Sequence, residues 1–265
     1  MVNELIKFLD KTHSQYHTIT NEKEMLLKEG FEELTEDNLW NIECDKKYFV
    51  TRGESSLIAF VTPTKLAKDF HYQIIASHSD SPTFKLKANP IIVENGFVKL
   101  NVEKYGGMIY NAWLDRPLTI AGRVMLQSNN KIVSKPFYID KDLLTIPNVA
   151  IHMNKDINSG FTYNPQVDLL PLLGQKEEGK DYLKELFKLG GVTELEKVIS
   201  FDLFLAPRTE ASSSGLNDEF ISSPKLDNLE CAFLTLKGLM ASKPSSIDIP
   251  YSSPIATASA ALKRL

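Results

Sequence analysis

Cys44 and Cys231 are the only thiols in 265 residues, and no CxxC pair occurs. That scarcity excludes a disulfide framework and a thiolate zinc knot. No apolar run reaches membrane-spanning length, and Asn3, Glu4 and Asp10 occupy the stretch where a secretory leader would be basic and then apolar. The pattern predicts a cytoplasmic protein with no membrane partner. Basic clusters are missing too. With a formal net charge of −4, nucleic acid is not the expected partner. There is also no GxSxG elbow, so Ser212-Ser213-Ser214-Gly215 reads as a flexible loop and not as a hydrolase nucleophile. The composition is otherwise ordinary: 43% hydrophobic and 24% charged residues. A chain of this length buries roughly 70% of its unfolded surface.

One stretch organises the rest, Ile74-Ile75-Ala76-Ser77-His78-Ser79-Asp80-Ser81-Pro82. Tyr72 to Ala76 is apolar and predicts a buried strand that ends in a polar turn. His78 and Asp80 are two residues apart, so an extended backbone points them the same way. Pro82 then stops the ladder. An imidazole beside a carboxylate at a strand end suits a metal site, where the acid fixes the imidazole tautomer. A solvated turn with a capping Asp is the competing reading of an isolated HxD.

Along the chain, residues 1–29 predict two helices, with Leu5, Phe8 and Leu9 on one apolar face and Gly30 as the C-terminal stop. His13 and His17 lie four apart but lack the Glu of HExxH, and they read as ordinary surface histidines. Residues 47–61 predict a hairpin around Arg52-Gly53-Glu54, and the strand ending at Ala76 is expected in the same sheet. After Pro82 the punctuation becomes that of hairpins. Asn95-Gly96 lies inside 91–102, Asn129-Asn130 lies between 117–126 and 131–139, and helical period returns only at Asp181–Lys188. Residues 198–206 predict a buried strand that returns the chain to its α/β part. The Gly106-Gly107 pair permits a close backbone approach or forms a plain turn. His152, beside apolar residues, reads locally as a packed structural side chain. Asp227 precedes the helical run Cys231–Met240, and is either an N-cap or a carboxylate bridging two metals.

Several ordered blocks carry a resemblance: GFEEL at 30–34, Trp40, YFVTRGESSLIAF at 48–60, ASHSDSP at 76–82 and YGGMIYNAWLDRPLTIAGRV at 105–124. AIHMNKDINSGFTYNPQVDLLPLLG at 150–174 and SPKLDNL at 223–229 complete them. Together they resemble the aspartyl aminopeptidases and their bacterial relatives, which are cytosolic two-metal exopeptidases. The resemblance implies an α/β fold, a mixed sheet flanked by helices of metallo-exopeptidase type, at residues 1–88 and 207–265. It implies an inserted β-rich dimerisation and lid domain at 89–206. His78 and Asp227 match metal ligands, Asp227 being the bridge, and Asp80 matches the acid that orients His78. His152 matches a histidine that reaches a neighbouring subunit's active site. The implied cofactor is zinc, two divalent ions in the complete site, with manganese or cobalt as alternatives. The implied partners are peptide substrates, with an acidic first residue preferred in the namesakes, and further copies of the chain as dimers that build dodecamers in relatives.

The departure from that pattern is equally specific. No Glu follows Glu230 and no His follows His152, so the family's Glu-Glu pair and terminal histidine have no counterpart. The tail from Tyr251 is small and polar with a helix-like end, and reads as foreign to the family. The expectation is a C-terminally shortened catalytic domain, inactive as an isolated chain. A non-catalytic oligomer subunit with a structural or regulatory role is the alternative.

Overall fold

The computed structural model describes residues 1–65, 73–242 and 255–260, the last as backbone only. Helices α1 (Val2–Lys11) and α2 (Gln15–Lys28) lead into strands β1 (Glu32–Leu34), β2 (Lys47–Arg52), β3 (Ser56–Val61) and β4 (Gln73–Ser77). Strands β5 (Thr83–Glu94), β6 (Phe97–Tyr105), β7 (Leu118–Ser128), β8 (Lys131–Tyr138) and β9 (Leu172–Gln175) follow. Then come α3 (Tyr182–Leu189), β10 (Val198–Pro207), β11 (Ser212–Ser214), β12 (Phe220–Ser222), α4 (Leu226–Ala241) and β13 (Ile255–Ala260). The chain divides into two compact units: 1–81 with 210–265, and 82–209.

In the first unit the sheet runs β1-β2-β3-β13-β4. It is mixed: β1 lies parallel to β2 and β13 parallel to β4, whereas β2–β3 and β3–β13 are antiparallel. Period-2 alternation in β3 turns Leu57, Ala59 and Val61 onto Leu236 and Leu239 of α4 and Ile19 and Leu26 of α2. The i, i+3, i+4 stripe Leu5, Phe8, Leu9 packs α1 on Leu229 and Phe233. Each such buried side chain contributes about 1.5–3 kcal/mol relative to exposure. Thr18 and Thr20, poor helix formers, are accommodated in α2 by hydroxyls that donate to the Ser14 and Tyr16 carbonyls one turn back.

The second unit is a six-stranded antiparallel sheet, β8-β7-β10-β5-β6-β9. Asn95-Gly96 and Asn129-Asn130 turn its hairpins, all four residues at positive φ. The Asp181 carboxylate caps α3 by accepting the Lys184 amide at 3.1 Å. A core of Phe84, Leu86, Leu100, Trp113, Ile120, Phe137 and Leu203 sits beneath the sheet.

Several expectations change. The strand before His78 is an edge strand and not a buried one among the described residues: Ile74 is 69% and Ile75 45% exposed, with β13 on one side of β4. Tyr72 lies outside the described residues. Strand 198–206 does not return to the α/β part but pairs with β7 and β5 inside the β-rich unit. The junctions expected at 88–89 and 206–207 accordingly fall within strands β5 and β10. Hairpin punctuation becomes visible only at Asn95, a dozen residues after the true switch at Pro82. Ser212–Ser214 is not a flexible loop; it pairs as β11 with β12. In the tail, 255–260 is a strand between β3 and β4. Partners on both sides override its weak local preference. The helix-like end at 261–265 lies outside the described residues.

Candidate metal centre

Where β4 ends, the chain leaves the sheet and a tight polar turn sets the first candidate ligand. The buried Ser79 pins that turn by donating its hydroxyl to the Ser55 carbonyl at 3.3 Å. His78 Nδ1 lies 3.0 Å from the Asp80 carbonyl and 3.2 Å from Asp80 Oδ1. Two acceptors on one ring nitrogen keep the proton on Nδ1 and leave the Nε2 lone pair free for a cation.

The second candidate ligand comes from 150 residues away. Asp227 lies in the turn that opens α4, with non-helical backbone at Asp227 and Asn228, a cis peptide between them and Lys225 in the left-handed region at φ 67°. It is not an N-cap, since Lys225 occupies that position and no side chain caps the helix. Instead its Oδ1 stands 3.5 Å from His78 Nε2. Exposure decides the direction of the site: Asp80 is 12% exposed behind His78, whereas the Asp227 side chain is 96% exposed and open to an incoming group.

Two ligands on a tetrahedral zinc ion, each about 2.1 Å from the metal, lie roughly 3.4 Å apart. The His78–Asp227 pair matches that separation, so these residues fit two ligands of one ion. A catalytic zinc takes three protein ligands. Among the described residues no group of three His, Cys, Asp or Glu side chains has metal-holding geometry.

Beneath the Asp227 turn lies a polar cluster that sequence reasoning missed. The Lys225 amine donates to the Thr12 carbonyl at the end of α1. Burial pushes that amine down to about 8, with Asp10 pulling the other way. Asp10 also accepts the Ala211 amide at 2.7 Å. His17 is not a surface histidine: burial, and then the Lys225 charge, lower its pKa to about 4. Ser14 Oγ contacts its Nδ1 at 2.8 Å. Lys225 was visible within SPKLDNL, but nothing local assigned it a partner more than 200 residues upstream.

His152 belongs to the second unit. It sits on an exposed turn among the exposed Val149, Ile151 and Met153, and so is not the packed structural side chain of the local reading. Gly106 turns at φ +78°, and a Cβ there would meet Pro82 at 3.4 Å.

A mixed sheet flanked by helices, a histidine–carboxylate pair at a strand end and an inserted antiparallel unit define the metallo-exopeptidase type of α/β protein. The chain belongs to the M18 aminopeptidases: the family described as Aminopeptidase I zinc metalloprotease (M18) matches residues 8–258. A probable M18 family aminopeptidase 2 of Clostridium novyi is 43% identical over 249 residues, covering 92% of this chain and 58% of that protein. Aspartyl aminopeptidase 1 of Schizosaccharomyces pombe is 34% identical, covering 89% and 54%. In a cryo-EM structure of an Ape4–Nbr1 complex, the matched chain is 33% identical with a TM-score of 0.88, covering 97% of this chain and 53% of that one. Chaetomium thermophilum mApe1 gives 25% and 0.85, covering 97% and 61%. The chain thus spans a little over half the length of the curated relatives it matches. The family match extends to residue 258, so the segment from Tyr251 is not foreign to the family.

Proposed function

We propose that His78 and Asp227 hold a zinc ion for removal of the N-terminal residue of peptides, with Asp80 fixing the His78 tautomer. The observation that carries this reading is the 3.5 Å approach of His78 Nε2 to Asp227 Oδ1 with Asp80 on the opposite ring nitrogen. A bound divalent ion supplies Lewis-acid polarisation and an acidified water. The residues of this chain then have separable tasks. Asp80 holds the proton on Nδ1, His78 presents the Nε2 lone pair, and Asp227 offers one carboxylate oxygen beside it. Its second oxygen would be available to a second ion in a two-metal form of the site. Manganese and cobalt suit the same donors. The name of the S. pombe relative favours an acidic first residue. Cys44 and Cys231 are both free, which fits the cytoplasm.

The donor inventory limits what residues 1–265 do alone. Among the described residues these two candidate ligands come together without a third metal-holding group, and we expect metal binding without turnover from residues 1–265 alone. A second reading, a non-catalytic subunit of a homo-oligomer, is favoured by one observation. Ile151, Met153 and Val167 are 55%, 71% and 67% exposed in the stretch that carries His152. Water-exposed apolar side chains in one loop mark an interaction surface. We assign that loop to contact with a second copy, His152 being directed at the partner's site. Calorimetric titration with zinc tests the first reading: one binding event, lost in His78→Ala, is expected. Equal zinc binding by wild type and His78→Ala would overturn it.

A further inference from the structure

The Asp227 carboxylate is held in place by its backbone alone. Its side chain is 96% exposed, and among the described residues its one ionic neighbour is the His78 ring. The backbone that carries it departs from helix at both Asp227 and Asn228 and from right-handed space at Lys225. A chain in such a conformation needs an external tie to stay in it. The tie within the helix is long: the Leu229 amide reaches the Lys225 carbonyl at 3.3 Å. The Ser81 hydroxyl reaches the Asp227 carbonyl only at 3.5 Å, the limit for a hydrogen bond.

Leu229 and Phe233 pack the helix on α1, and within the turn before it Leu226 is only partly buried against the same cluster. Besides the approach of Asp227 to His78, the Lys225 side chain bridges from that turn to another element. The Lys225 ammonium donates to the Thr12 carbonyl, a group that α1 leaves unpaired at its C-terminal, negative end. That corner is itself fixed, since Thr12 is fully buried and its hydroxyl donates to the Leu9 carbonyl at 2.8 Å. Asp10 ties the same corner to Ala211.

We infer that Lys225 is a positioning residue for the metal centre: by anchoring the Ser223–Asn228 turn to the end of α1, it sets the Asp227 carboxylate within ligand distance of His78. This rests on Asp227 being a metal ligand, and the test separates the two ideas. Zinc is titrated calorimetrically into wild type, Lys225→Met and Lys225→Arg, each full-length. Hydrogen–deuterium exchange of peptides spanning 222–230 and the melting temperature are recorded on the same samples.

Lys225→Met is expected to bind zinc about 10–100-fold more weakly. Exchange should rise over 226–229 but not in β7 or β10, and Lys225→Arg, which keeps a cationic donor, should recover most of the affinity. A lysine that is merely structural would lower the melting temperature and leave zinc affinity and local exchange unchanged, and that outcome overturns the inference. If wild type itself binds no zinc, the metal-site reading fails. The anchoring is then decided by exchange alone: a rise confined to 222–230 supports it, and no change overturns it. Should Lys225→Met not fold, Lys225→Gln, which retains an uncharged donor, is measured by the same readouts against the same outcomes.

Discussion

At the scale of single residues, two histidines in one unit show how environment assigns a role. His78 keeps its Nε2 toward solvent because Asp80 takes the other nitrogen. Asp80→Asn keeps the shape but removes the charge that holds the tautomer, and should weaken zinc binding about 10–100-fold without changing the melting temperature. His17 has the opposite fate. Its folded pKa of about 4 lies below the ordinary 6.5, because burial disfavours the imidazolium and Lys225 adds repulsion. The linkage follows directly. Above pH 6.5 the residue is neutral in both states and costs nothing. Between 6.5 and 4 only the unfolded chain takes up the proton, so stability is lost as pH falls. The loss amounts to on the order of 3 kcal/mol by pH 4. Urea unfolding between pH 7 and 4 should show that slope, and His17→Gln should flatten it. A slope unchanged in the variant would assign the acid sensitivity to other groups. The HxD spacing announced His78, whereas the burial of His17 and the charge of Lys225, 208 positions away, were not legible.

At the scale of elements, local pattern was most readable where turns have strict backbone demands. Asn95-Gly96 and Asn129-Asn130 mark their hairpins because left-handed conformations select those residues. The hairpin around Gly53 and the end of α2 at Gly30 were legible for the same reason. Strand membership was not, because a run such as 198–206 has the same character whichever sheet receives it. Its register on β7 sets one exacting requirement. Gly122 pairs with Leu203, and a Cβ at 122 would stand 2.0 Å from the Asp202 carbonyl oxygen. Backbone cannot yield there as a flexible side chain would. Gly122→Ala should therefore cost about 3 kcal/mol, the upper end of overpacking penalties, by splitting β7 from β10. Guanidinium unfolding measures it, and a loss below about 1 kcal/mol would mean that the two strands separate without consequence.

At the scale of the whole molecule, the family was legible because its blocks occur in order along nearly the entire chain. The balance between binding and turnover is decided by the residues that are present. In the proposed site His78 and Asp227 would supply two donors, with Asp80 supporting His78 and no third group among the described residues. No glutamate follows Glu230 and no histidine follows His152. General acid–base catalysis typically contributes 10²–10⁴-fold, and it needs a basic side chain within hydrogen-bond reach of the water it deprotonates. With two candidate ligands brought together among the described residues, the 265-residue polypeptide assayed alone is expected to show no measurable turnover, even with zinc bound. The purified chain, loaded with zinc, manganese or cobalt, is to be assayed for release of Asp, Glu and Leu from peptides with free N-termini. The expectation is a zinc-binding isotherm that His78→Ala abolishes, alongside a rate indistinguishable from the metal-only control. Turnover that vanishes both on chelation and in His78→Ala would sink the prediction, and would assign the base and further ligands to groups beyond His78, Asp80 and Asp227, among them those of another copy of the chain. Sedimentation of the same active sample and the rate of His152→Ala would decide for another copy: an oligomer and a lowered rate are expected if it completes the site.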